Sequence, residues 1–139
     1  MLKKLVARLG RWWILLPCAY MAGIFCLSHT PGHELPHWEL EGINVGNILH
    51  FPVYYGLGFL WLLTLEAWPL AGNRPYFLAV ALATAFGAID EVHQSFVPSR
   101  SMDFWDGVVN FAGAACAALT WSWIRPLFFP PRPPAPGSG

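Results

Sequence analysis

Four long apolar stretches, Trp12 to Ser28, Ile48 to Leu70, Tyr76 to about Phe96 and Trp105 to Ile124, constrain the fold of this chain more than any other feature. Each approaches the ~20 residues an α-helix needs to cross ~30 Å of hydrocarbon. Segments inside lipid must satisfy their own backbone polar groups, which single helices do. With 55% hydrophobic residues and eight tryptophans among 139 residues, too little polar surface is left for a soluble domain. The expectation is an all-α fold: a four-helix transmembrane bundle within residues 1–125, followed by a proline-rich tail at 126–139. That tail, PLFFPPRPPAPGSG with its lead-in, cannot be helical through its prolines, and its last three residues resemble an expression scar.

The basic residues set an orientation. Lys3, Lys4, Arg8 and Arg11 precede the first span, Arg74 lies between the second and third, and Arg125 and Arg132 follow the fourth. An even number of spans puts these seven on one side, which by the positive-inside rule is the cytoplasm, with both termini there and Arg100 alone outside. The acids run the other way: only Glu66 falls in the cytoplasmic half, so a formal net charge of +0 conceals a polarised molecule. Trp12, Trp13, Trp68, Trp121 and Trp123 sit near the expected inner boundary, with Trp38 and Trp105 near the outer one, as interfacial belts do. The first span has no small-residue cleavage pattern after it and is expected to stay as an anchor. Cys18, Cys26 and Cys116 lie inside spans with no metal or redox spacing and are expected to be buried small hydrophobes.

The third span is where chemistry enters. Its purely apolar part, Tyr76 to Ile89, reaches only about 21 Å at ~1.5 Å per residue, so Asp90, Glu91 and Gln94 must help to complete the crossing. Ionisable groups at that depth are costly and should face protein or trapped water. At helical spacing Asp90, His93 and Gln94 share one face, offset from Glu91, and Asp106 and Asn110 share a face of the fourth span. His50 and Tyr54 lie one turn apart on the second span and point into the bundle. Pro98 is expected to stop the third helix and turn the chain back, leaving Arg100 in the connection. The small-residue row Ala79, Ala83 and Gly87, with Gly113, Ala114, Ala117 and Ala118 opposite, is expected to bring spans three and four together.

One outward-facing pocket is thus expected to gather His50, Asp90, Glu91, His93, Gln94, Arg100, Asp106 and Asn110, with Tyr54 beside His50. Three chemistries are open to it. Arg100 can fork an anionic headgroup while the neighbouring groups hydrogen-bond its edges. Carboxylates with His50 or His93 can hold a divalent cation, although no HExxH or repeated aspartate motif is present. The whole set can also be a structural lock, and capping of the fourth helix by itself accounts for Asp103. His29, His33 and His37 are expected at the surface, and Leu35, Trp38, Leu40 and Ile43 are expected to place the first outer loop in the interface as a lid.

The pattern HFxxY at His50 to Tyr54, then DExxQxFxPxRxxxxxDxxxNxxG from Asp90 to Gly113, resembles the VanZ-like family of small bacterial membrane proteins. Every fixed position of the second pattern is filled, and the turn from Ser28 through Pro31 and Gly32 is also similar. Where the family often carries an Asp-Lys pair before the histidine, this chain has Asn47 and Ile48. The family takes its name from a member associated with low-level teicoplanin resistance, so the resemblance implies a role at the cell envelope and supplies no reaction and no catalytic residues. The expected binding residues are His50, Tyr54, Asp90, Glu91, Gln94, Arg100, Asp106 and Asn110, for an anionic lipid, a lipid-linked envelope precursor or a lipoglycopeptide in the bacterial cytoplasmic membrane. No cofactor, no catalytic residue and no metal ligand is assigned; the alternative metal set is His50, Asp90, Glu91 and His93. Membrane lipids are the expected partners, with no nucleic acid. The runner-up function is that of an accessory subunit or assembly factor of a larger membrane complex, and the third a metal-assisted membrane hydrolase or transferase.

Overall fold

The computed structural model describes residues 10–34, 39–40, 43–68, 70 and 72–129. A 3-10 turn, Gly10–Ile14, leads into helix α1, Leu15–Ser28. A two-residue ladder pairs β1, Glu39–Leu40, with β2, Ile43–Asn44, in antiparallel register. Three longer helices follow: α2, Val45–Glu66; α3, Arg74–Gln94; and α4, Phe104–Ile124, continued by a 3-10 turn at Arg125–Leu127. The architecture is an all-helical bundle of four helices with one small hairpin between the first two.

Three of these helices are long and apolar enough to cross a membrane: Ile48–Glu66, Arg74–Gln94 and Phe104–Leu127. Helix α1 is shorter, and its 14 residues reach about 21 Å at ~1.5 Å each. The five residues of the 3-10 lead-in add about 10 Å at ~2 Å each. The first apolar segment therefore matches the hydrocarbon thickness only when its tight first turn is included.

Local chemistry sets the helix ends. Pro75 sits in the first turn of α3, where its missing N–H costs nothing. Asp103 caps α4, its Oδ1 accepting the Trp105 amide at 2.8 Å. Helix α3 ends at Gln94, four residues before Pro98, so the proline does not stop it. The reversal is made at Ser99, which adopts a φ of 60.

Helix α2 is the centre of the bundle, packing most heavily on α4 and also on α1 and α3. It runs parallel to α4, since His50 pairs with Asn110, Tyr55 with Thr120, Phe59 with Trp121 and Glu66 with Arg125. The small-residue row of α4 permits this approach. A Cβ on Gly113 would lie 2.5 Å from the Phe51 carbonyl oxygen and 2.9 Å from the Tyr55 amide, so the α2 backbone lies directly against it. Gly113, Ala114 and Ala117 thus serve the α2 interface, while Ala79, Ala83 and Gly87 are the buried face of α3. Around these contacts Tyr54, Leu57, Leu62 and Trp121 form the core.

Several expectations change here. Trp13 and Trp121 are buried in the core, whereas Trp12, Trp105 and Trp123 are exposed as belt residues would be. Cys18 and Cys26 are exposed and Cys116 is half-buried, all three free, because α1 buries only Pro17, Ile24 and Ser28 and turns its other faces outward. Glu66 forms an ion pair with Arg125 at 2.9 Å, which balances the acid at the end opposite the polar cluster. Lys3, Lys4, Arg8, Leu35, His37, Trp38, Arg132 and the tail from residue 130 lie outside the described residues, whereas the start of the expected tail turns in a 3-10 helix through Leu127 and buries Phe129 in the core.

The α2–α4 contact carries a direct test. Gly113→Ala should destabilise the bundle by about 1–3 kcal/mol through overpacking, seen as a lowered thermal midpoint in detergent. Gly107→Ala, on the same helix with open space around it, should be neutral or stabilise by up to about 1 kcal/mol.

Candidate functional site

The polar groups collect where α1 and α3 end and where α2 and α4 begin. Two chains of polar groups meet there. In the first, the Ser28 hydroxyl of α1 donates to Asp90 Oδ2 at 2.7 Å. The Gln94 amide, one turn along α3, donates to the same oxygen at 3.0 Å. Arg100 then donates from Nη2 to Gln94 Oε1, so the guanidinium reaches back from the α3–α4 connection over the end of the bundle. The loop after α1 is docked against that connection: the Gly32 amide donates to the Pro98 carbonyl at 3.0 Å. Only glycine fits at 32, because a Cβ there would fall 2.0 Å from the Ser99 carbonyl oxygen.

The second chain links α2, α4 and α3. His50 Nδ1 lies 3.0 Å from Asn110 Oδ1, and its Nε2 lies 3.9 Å from Asp106 Oδ2. Glu91 accepts the Asp103 amide on Oε2 at 3.1 Å, which ties α3 to the cap of α4. One ligand atom from each of His50, Glu91 and Asp106 falls within 4.8 Å of the others.

Between α1, α2 and α3 a cleft of about 270 Å³ opens beside the first chain. Ile24, Leu27, Leu49 and Val53 make an apolar wall, and Ser28, His50, Tyr54, Asp90, Gln94 and Arg100 make a polar one. Several buried atoms at this end have no hydrogen-bond partner among the described residues: Tyr54 Oη, Asp90 Oδ1, Glu91 Oε1, Asp106 Oδ1 and Asn110 Nδ2. Buried polar groups are normally satisfied, and a concentration of exceptions marks a place where something else can bond.

The expected single pocket is therefore two adjoining groups. Asp90, Gln94 and Arg100 meet in one; His50, Glu91, Asp106 and Asn110 meet in the other; His50 and Tyr54 line the cleft, their rings stacked with centroids 6.3 Å apart. His93 joins neither. It turns outward against α1, stacked on Phe25 with ring centroids 4.1 Å apart and within 3.3 Å of His29 Nδ1. Asp90 is likewise drawn away from His50 by Ser28 and Gln94, so the metal set His50, Asp90, Glu91 and His93 is not assembled. Ser28 was not singled out as a site residue, although it directly precedes the histidine and the Pro-Gly turn that close the first span. His29 and His33 are exposed as expected.

The first chain predicts a graded response. Ser28→Ala removes one of two donors on Asp90 and should cost about 1 kcal/mol. Gln94→Leu strips both Asp90 and Arg100 of a partner and should cost about 2–3 kcal/mol. Thermal denaturation of the two variants in the same detergent checks the order.

A family model described as VanZ/LLP1 matches residues 6–125. No curated protein and no solved structure gave a match. The matched stretch takes in all four helices and both polar chains, and this chain belongs to the VanZ/LLP1 family.

Proposed function

We propose that the cleft binds the headgroup of an anionic amphiphile, a membrane lipid or a lipid-linked envelope precursor, in the bacterial cytoplasmic membrane with both termini cytoplasmic. The observation that carries this reading is the division of the cleft into an apolar wall and a polar wall with Arg100 among the polar residues. An amphiphile has the same division. Among the described residues Arg100 forms no ion pair; it rests on the neutral amide of Gln94, which an anion can displace. Phosphate is a better acceptor than an amide and suits the forked guanidinium.

Size limits the ligand further. A volume of about 270 Å³ lies just below the usual range of ligand pockets, ~300 to ~1,000 Å³. It suits one phosphate-bearing headgroup with the first carbons of its chain, so a lipoglycopeptide would enter only by such a part. Asp90 Oδ1, without a partner among the described residues, offers an acceptor to a hydroxyl or amine carried beside the phosphate.

A second reading, an accessory subunit in a larger membrane complex, draws on a different surface. An apolar groove of about 720 Å³ runs along α3 and α4 between Phe77, Val80, Ala81, Phe111, Ala115 and Leu119. It also contains Thr84, whose buried hydroxyl has no partner among the described residues.

Native mass spectrometry of the protein gently extracted from its own membrane separates the two. A phosphate-bearing lipid that co-purifies with the wild type and falls at least tenfold in Arg100→Ala, with the helical spectrum unchanged, is the expected result. Equal lipid on both proteins would overturn the headgroup reading. A stoichiometric protein retained by both would favour the subunit reading.

A further inference from the structure

We propose that His50, Glu91 and Asp106 bind one divalent transition-metal ion, of the class of Zn²⁺ or Mn²⁺, in the wall of the cleft. The inference goes beyond the headgroup reading and stands without it, since the ion can be measured on protein that carries no added lipid.

Three observations converge. The first is geometry. The imidazole comes from α2, the glutamate from α3 and the aspartate from α4, and one ligand atom of each lies within 4.8 Å of the other two. Bonds of about 2.0–2.2 Å hold ligand atoms roughly 3–4 Å apart around one ion, so side-chain movements of about 1 Å would close the set. The second is the orientation of His50. Its Nδ1 lies 3.0 Å from Asn110 Oδ1, which turns Nε2 towards Asp106 Oδ2, 3.9 Å away. A histidine whose second nitrogen donates to a carbonyl is the usual arrangement at metal centres. The third is the buried remainder. Glu91 and Asp106 are 3% and 8% exposed, and Glu91 Oε1 and Asp106 Oδ1 have no partner among the described residues.

Charge agrees with this assignment. In the bound form two carboxylates and a neutral imidazole would carry two negative charges, which one divalent ion cancels. Arg100, on the α3–α4 connection, hydrogen-bonds Gln94 and forms no ion pair with either carboxylate among the described residues. The imidazole selects against Mg²⁺ and Ca²⁺, which prefer oxygen ligands throughout. Three protein ligands leave coordination positions for water or for a ligand oxygen. Because His50 also lines the cleft, a phosphate oxygen bound there would have the ion and Arg100 as its two cationic neighbours.

The test uses detergent-solubilised full-length protein, stripped with a chelator and titrated separately with Zn²⁺, Mn²⁺ and Mg²⁺, with bound metal measured by elemental mass spectrometry. One Zn²⁺ or Mn²⁺ per chain is expected, with Mg²⁺ at least tenfold weaker. Glu91→Gln and Asp106→Asn should weaken binding at least a hundredfold. Asn110→Leu, which removes only the support of the imidazole, should weaken it about 10- to 100-fold. His93→Ala should leave it unchanged, since His93 stacks on Phe25 elsewhere. No ion at saturating metal, or affinity unaltered in both carboxylate variants, overturns the site. Should those variants misfold, pulsed electron paramagnetic resonance of Mn²⁺ on ¹⁵N-histidine-labelled wild-type protein decides: coupling to a histidine nitrogen supports the site, and its absence overturns it. Loss of metal with lipid retained would refute this site alone, and lipid loss with metal retained would refute the headgroup reading alone.

Discussion

Asp90, Glu91 and Asp106 are buried at one end of an otherwise apolar bundle, and the arrangement of the four helices depends on how those carboxylates are met. Taking a carboxylate out of water costs several kcal/mol unless charge or hydrogen bonds replace the lost solvation. Each is met from a different direction. Ser28 comes from α1, His50 from α2, Gln94 from the turn of α3 beyond Asp90, and the Asp103 amide from the start of α4. Satisfying the acids therefore fixes all four helices at that end. The Glu66–Arg125 pair fixes α2 to α4 at the other.

Between these two polar ends the packing rests on small side chains. Within lipid, apolar surface gains little by leaving one apolar surroundings for another, so helices associate through close contact and interhelical hydrogen bonds. The backbone of α2 lies against Gly113, and the hydroxyl pair of Tyr55 and Thr120 adds a bond at 2.9 Å on the same seam. Helix α1 has fewer such contacts, held mainly by Thr64 Oγ1 donating to the Trp13 carbonyl, Tyr20 Oη donating to the Val53 carbonyl, and Ser28. The cleft opens along this more lightly attached helix.

The polar end is also incompletely satisfied, and unevenly so. Asp90 Oδ2 has two donors, whereas its other oxygen and one oxygen each of Glu91 and Asp106 have none among the described residues. A purely structural lock would gain from completing those bonds. The unmet acceptors lie beside an open cleft, where a further partner could complete their bonds.

Composition and segment length were enough to name the solvent and the elements. Segment length and apolarity placed four helices and expected all four to span, of which three are long enough by themselves, and the shortness of the apolar run before Asp90 required the polar residues that follow it to be enclosed by protein. Helical spacing correctly placed Asp90 with Gln94, Asp106 with Asn110 and His50 with Tyr54, because those relations lie within one helix and follow from 3.6 residues per turn. The motif from Asp90 to Gly113 likewise identified the family that residues 6–125 match. Tertiary structure decided what no single helix contains. The rotation of each helix about its axis relative to its neighbours turned Cys18 and Cys26 outward, Trp13 and Trp121 inward, and His93 onto Phe25 instead of into the polar cluster. It also divided one expected pocket in two and brought in Ser28. In a membrane, outward and inward faces are nearly equal in apolarity, so hydrophobic pattern leaves that rotation unspecified and the fit of small residues and buried hydrogen bonds sets it.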